Sequence, residues 1–140
     1  MEQIEELYNA LQVDNPSLRV LHDEADTIQR KMEESARLDD PASLTVRLNM
    51  LDAYMARMTD MMVRAKAMKD RANYRYLSEN EDKLAKMTAT VSNRLIDTHL
   101  FEYTMTYNRL DTMYHTMEHQ TRDLVTQISY IKQQINAFGG

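Results

Sequence analysis

Neither glycine nor proline occurs between Ala42 and Phe138, and no other property of this chain limits its fold so strongly. The only glycines are Gly139 and Gly140, and the only prolines are Pro16 and Pro41. A sheet protein needs glycine for positive φ and proline to preset its turns, so 97 uninterrupted residues argue against strands and tight turns throughout. Helices have no such need. The expected fold class is all-α.

The two prolines mark helix starts. In VDNPSLRV, Asn15 can cap while Pro16 takes the first helical position, where a missing N–H costs nothing; Asp40 and Pro41 repeat the arrangement in LDDPASL. This spacing predicts a short helix near 2–12, a second near 16–37 and a helical region from 41. A single helix over the rest of the chain would be about 145 Å long at 1.5 Å per residue, so a break is expected.

The apolar pattern places that break. From 44 to 76 a stripe of alternating four- and three-residue steps runs Leu44, Leu48, Leu51, Met55, Met58, Met62, Ala65, Lys69, Ala72, Tyr76. A second and stronger seam runs Ile96, Leu100, Tyr103, Tyr107, Leu110, Tyr114, Met117, Thr121, Leu124, Ile128, Ile131, Ile135, Phe138. Extending the first beyond Tyr76 meets only polar residues, and SENEDK at 78–83 suits a turn and a new cap.

The expected architecture is therefore one helical domain over 1–140, an elongated hairpin or bundle: acidic N-terminal helices in 1–40, a long helix at 41–77 and a long heptad helix at 82–138. A thin hairpin leaves apolar surface exposed, so a homo-oligomeric coiled-coil assembly is expected. Its seam would comprise Ile96, Leu100, Tyr103, Tyr107, Leu110, Tyr114, Met117, Leu124, Ile128, Ile131 and Ile135. Tyrosines at three of these positions suit a looser bundle than a tight two-stranded coil.

Composition excludes several chemistries. The 140 residues contain no cysteine, which removes disulfides, thiolate zinc sites and cysteine nucleophiles. MEQIEELYNALQV has three glutamates and no basic residue, unlike a secretory signal. No segment approaches the ~18 apolar residues of a membrane span. The expectation is a cytoplasmic protein with no membrane partner. The phosphate-binding and nucleophile motifs that depend on glycine cannot occur in residues 1–138, so neither an enzyme nor a cofactor is expected.

One string argues otherwise. HTMEH at 115–119 matches H-x-x-E-H, the metal signature of a class of zinc peptidases. With Tyr114 and Met117 inward, His115 and His119 fall on the outer part of the helix. A catalytic zinc also needs a third protein ligand and a walled cavity, whereas the 21 residues after His119 contain no glutamate. The expectation is two solvated histidines and no metal site. His22 with Asp26 reads likewise as an i, i+4 pair on a charged surface.

Charge is unevenly distributed. Residues 1–40 hold four basic and eleven acidic side chains, residues 41–80 seven and four, and residues 81–140 six and seven. Arg57, Arg64 and Arg71 recur every seven residues, with Lys66, Lys69 and Arg75 beside them. Such a stripe can follow a nucleic-acid backbone, or it can dock on the acidic first forty residues, and the net charge of −5 favours the latter. Six of twelve methionines lie in 50–68, which suits burial against the N-terminal helix or an adaptable protein-binding surface.

The run from NRLID at 93–97 through YNRLDTMYHTMEHQ to QISYIKQQI at 127–135 resembles the end of small helical proteins encoded in bacteriophage early regions, near single-strand annealing and recombination genes. The likeness rests on a long helix closing with Ile128, Ser129, Tyr130 and Lys132. It implies a phage accessory protein, in the host cytoplasm, with a role in recombination or in countering host defence. It implies no catalytic residues. The expected function is that of a non-enzymatic helical interaction or scaffold protein that binds itself and a recombination, replication or host-defence protein. The alternative is a nucleic-acid-binding accessory protein using residues 57–75.

Overall fold

The computed structural model describes residues 15–37 and 40–139, and these are helical apart from short connections. Helix α1 spans Pro16–Ser35, α2 Pro41–Glu79, α3 Glu81–Ala85, α4 Ala89–His99 and α5 Phe101–Gly139. Among the described residues there is no strand, and no helix is long and apolar enough to cross a membrane. The fold is all-α. The helix expected near 2–12 lies outside the described residues.

Both proline-marked starts form by local chemistry. The Asn15 side chain accepts from the backbone N–H groups of Ser17 and Leu18 at 3.0 and 3.3 Å. Asp40 accepts from the Ser43 N–H at 3.3 Å and from its hydroxyl. Each cap satisfies donors that the first turn leaves without a helical partner. Pro16 and Pro41 then occupy the first helical positions.

The expected continuous helix over 82–138 is divided in three. α2 ends at Glu79, where the Asn80 side chain donates to the Tyr76 carbonyl at 2.9 Å. The five-residue α3 and the turn after it reverse the chain, and Thr88 caps α4 by accepting from the Val91 N–H at 3.3 Å. Leu100 then separates α4 from α5 with φ −91° and ψ 4°. Helical hydrogen bonds continue through this point, since Leu100 N–H donates to Ile96 and its carbonyl accepts from Thr104, both at 3.0 Å. The joint is a bend with no proline or glycine behind it. It is held instead by burial of the Leu100 side chain and by stacking of Tyr76 on His99 at 4.3 Å.

α5 returns antiparallel along α2. Tyr76 meets His99 at one end, and 21 residues earlier on α2 the sulfur of Met55 accepts from the Thr121 hydroxyl at 3.6 Å. α1 packs against both long helices. The core collects Leu21, Ala25, Ile28 and Met32 of α1, Leu44, Leu51, Met58, Met61 and Ala65 of α2, and Leu110, Met113, Met117 and Leu124 of α5. Each fully buried methionine or leucine contributes about 1.5–3 kcal/mol. Five of the six methionines of the middle helix sit here: Met58 and Met61 are fully buried, and Met55, Met62 and Met68 pack against the core.

Two long helices touched by a third must bury more than a single stripe. Met61 on α2, and Met105, Met113, Thr106 and Arg109 on α5, are buried although none belongs to a heptad seam. A helix flanked on two sides presents a face at least ~100° wide, and these residues form its second edge.

Candidate functional site

Four groups of side chains could carry function: a buried polar cluster, the basic stripe, the HTMEH string and the exposed apolar surfaces. The first has no signature in local spacing. His22, expected on a charged surface, is only 3% exposed, and it meets Thr106 and Arg109, which are equally buried. His22 Nε2 lies 2.9 Å from Thr106 Oγ1, and Arg109 Nη1 lies 2.8 Å from His22 Nδ1.

A guanidinium can only donate, so Nδ1 is the acceptor and the imidazole proton resides on Nε2. Nε2–H donates to the Thr106 hydroxyl, which in turn donates to the Glu102 carbonyl at 2.8 Å. Arg109 completes the chain with a 2.5 Å bond to Asp26 and a 3.4 Å bond to Gln29. Burial, with the Arg109 charge beside it, lowers the His22 pKa to about 3 against the opposing pull of Asp26. The cluster therefore holds a neutral imidazole whose two nitrogens are both engaged. It pins α1 to α5 and offers no open face to a substrate.

On the basic stripe, the first arginine meets the acidic N-terminal region. Arg57 grips the carboxylate of Glu24 on α1 with two nitrogens, one bond being 2.6 Å, and also reaches Asp60 at 2.8 Å. The hydrogen bond from Arg57 holds the Glu24 carboxyl below its usual range, and the same pairing raises the arginine. Arg64 turns to Asp60 of its own helix at 3.2 Å. Lys69 is half-buried, whereas Lys66, Arg71 and Arg75 are exposed. Arg71 and Arg75 line a small polar recess with Ser17, Asn15 and Tyr103 at the start of α1, where Asn15 donates to the Tyr103 hydroxyl at 2.9 Å.

In HTMEH, His115 lies on the helix surface between Asp111 and Glu118 of its own helix, at 3.3 and 2.8 Å. His119 is exposed. No group of three or more metal-ligating side chains that could hold an ion occurs among the described residues.

The seam expected to join chains is largely used within one. Leu100, Leu110, Met117 and Leu124 are buried; Ile96, Tyr103, Tyr107, Tyr114, Ile128 and Ile131 are half-buried; Ile135 is exposed. α2 covers most of this stripe because the chain folds back on itself.

On the face of α2 and α5 marked by Thr59, Val63, Asp111 and His115, an open groove of about 340 Å³ remains. It is lined by the apolar and aromatic side chains of Met62, Val63, Tyr107 and Tyr114 and by the charged or titratable Lys66, Asp111 and His115. Val63 is 63% exposed.

Comparison with known proteins finds no match: no family model, no curated protein and no solved structure matches this chain.

Proposed function

We propose that this chain is a non-enzymatic helical interaction protein that receives an amphipathic helix of a protein partner in the groove between α2 and α5. The observation that carries this reading is the groove itself. It joins one adaptable apolar side chain, Met62, and the branched Val63 to two tyrosines, and its lining holds charges of both signs. Helix-in-groove recognition uses this combination, with apolar anchors on the floor and polar groups fixing register. The resemblance of the C-terminal run to phage early-region proteins gives the setting: the host cytoplasm, with a partner drawn from recombination, replication or host defence.

The test is site-resolved crosslinking in the cell of origin. A photoreactive residue at Val63 should capture one discrete partner, while the same residue at Val20, equally exposed on α1, should not. Equal capture at both positions, or none at Val63, would remove the groove as the binding surface.

Nucleic-acid binding is the second reading, supported by the exposure of Lys66, Arg71 and Arg75. Changing these three to Gln should then weaken binding alike for all sequences and flatten its salt dependence by up to ~0.9 for each duplex-DNA phosphate that is no longer neutralised. The pairing of Arg57 with Glu24 and of Arg64 with Asp60 leaves the stripe with less free charge than the sequence suggests, and this places the protein-binding reading first.

A further inference from the structure

We infer that the recess between the start of α1, the C-terminal half of α2 and the start of α5 binds one phosphate group, as inorganic phosphate or as the end of a phosphate monoester. Arg71 and Arg75 of α2, Tyr103 of α5, Ser17 of α1 and its cap residue Asn15 line it. The two arginines stand one helical turn apart. Arg57 finds Glu24 and Arg64 finds Asp60, but Arg71 and Arg75 have no ion pair or hydrogen bond among the described residues. No described carboxylate lines the recess, and the first turn of α1 carries no acidic residue. Two guanidiniums thus share a recess with the positive end of the α1 dipole, an unfavourable grouping that an anion between them would relieve.

The neighbouring groups are donors too. Tyr103 Oη accepts from Asn15 Nδ2 at 2.9 Å, so its own proton remains to be donated. The Asn15 oxygen already takes the N–H groups of Ser17 and Leu18, so the site is built from side chains and not from a bare helix N-terminus. The Ser17 hydroxyl has no partner among the described residues. Guanidiniums cannot accept, so the ligand must be an acceptor with negative charge spread over several oxygens. A phosphate monoester supplies three such oxygens and a charge of about −1.5 to −2 at pH 7, which balances two arginines, each able to bind an oxyanion through two N–H groups. A phosphodiester carries one charge and matches less well. The volume sets the size. About 170 Å³ holds roughly five waters at ~30 Å³ each, enough for one oxyanion and part of its hydration. It is below the ~300 Å³ at which pockets begin to enclose small organic ligands, so the rest of an esterified ligand would lie outside. The recess shares no residue with the groove between α2 and α5, so this inference and the partner-helix reading stand or fall independently. It uses Arg71 and Arg75 without Lys66, which separates it from a stripe that follows a nucleic-acid backbone.

The experiment is an NMR titration of the full-length chain at pH 7.5 and about 0.15 M salt, following the Ser17 amide and the Arg71 and Arg75 Nε–H groups. The probes are inorganic phosphate, adenosine 5′-monophosphate and adenosine. Inorganic phosphate should bind with a dissociation constant of about 1 mM or tighter. Arg71→Gln and Arg75→Gln should each weaken it about 10-fold, and Tyr103→Phe, which removes only the hydroxyl, about 5-fold. Lys66→Gln should change it by less than ~2-fold, because its charge is screened. Arg71 and Arg75 are exposed, so their variants should keep the wild-type helicity. Tighter binding of the monophosphate than of inorganic phosphate, with none of adenosine, would make the ligand an esterified phosphate; equal or weaker binding would make it free phosphate. No response to phosphate up to about 20 mM, well above the expected constant, would overturn the inference. So would adenosine binding as tightly as its monophosphate, or Lys66→Gln costing as much as either arginine change.

Discussion

Lowering the pH from 7.5 to 5.0 should cost this protein about 2 kcal/mol through His22 alone. In the unfolded chain this histidine takes up a proton near its ordinary 6.5, while in the fold it does so only at about 3. Between those values the unfolded state binds more protons, so stability is complete above pH 6.5 and declines as pH falls toward 3. At pH 5 the loss is the distance from 6.5, ~1.5 units at 1.36 kcal/mol each. This figure hardly depends on where below pH 4 the buried imidazole titrates.

The measurement is urea unfolding at both pH values, for the wild type and for His22→Gln, whose amide can bond Thr106 but cannot be protonated. The variant should be less stable at pH 7.5, because Arg109 loses an acceptor, and it should lose about 2 kcal/mol less than the wild type on acidification. If the two proteins lost the same stability within ~0.5 kcal/mol, His22 would not be a buried neutral imidazole, and the hydrogen-bond chain through Thr106 and Arg109 would be wrong.

Two further outcomes are expected. A double-mutant cycle on Arg57→Gln and Glu24→Gln should give a coupling of about 0.2–1 kcal/mol that shrinks as salt is added, because the pair is bidentate but half-exposed; zero coupling at low salt would separate α1 from the stripe. His115→Ala with His119→Ala should change stability by less than ~0.5 kcal/mol. Stoichiometric zinc in the purified wild type that disappeared in this double variant would make HTMEH a metal site after all.

What the sequence determined by itself was set by near neighbours, although the local Thr88 cap that begins α4 went unread within the helix expected over 82–138. Asn15 and Asp40 cap through donors two or three residues away, so the starts of α1 and α2 could be read from VDNPSL and DDPAS. The scarcity of glycine and proline and the heptad spacing likewise determined the all-helical class and which sides of the long helices are apolar. These are properties of a single helix, and three- and four-residue spacing encodes them directly.

Tertiary structure decided whatever depends on how many neighbours a helix has and on where they end. Arg109 looks like a surface residue on its own helix, and His22 like half of a local pair with Asp26. They are buried because α1 crosses α5 at that level, which joins residues 87 positions apart in the chain. Met61 and Met113 lie outside either heptad and enter the core because α1 gives α2 and α5 a second contact side. The break at Leu100 has no local breaker; the Leu100 side chain is buried there, and Tyr76 of α2 stacks on the neighbouring His99. The seam of α5 is one pattern from Ile96 to Phe138, yet only the register with α2 decides which part is interior. Leu124 lies across from α2 and is buried, whereas Phe138 lies past Pro41 and remains exposed. A periodic sequence marks which face wants a partner, and only the folded chain shows how far its own helices reach to supply one.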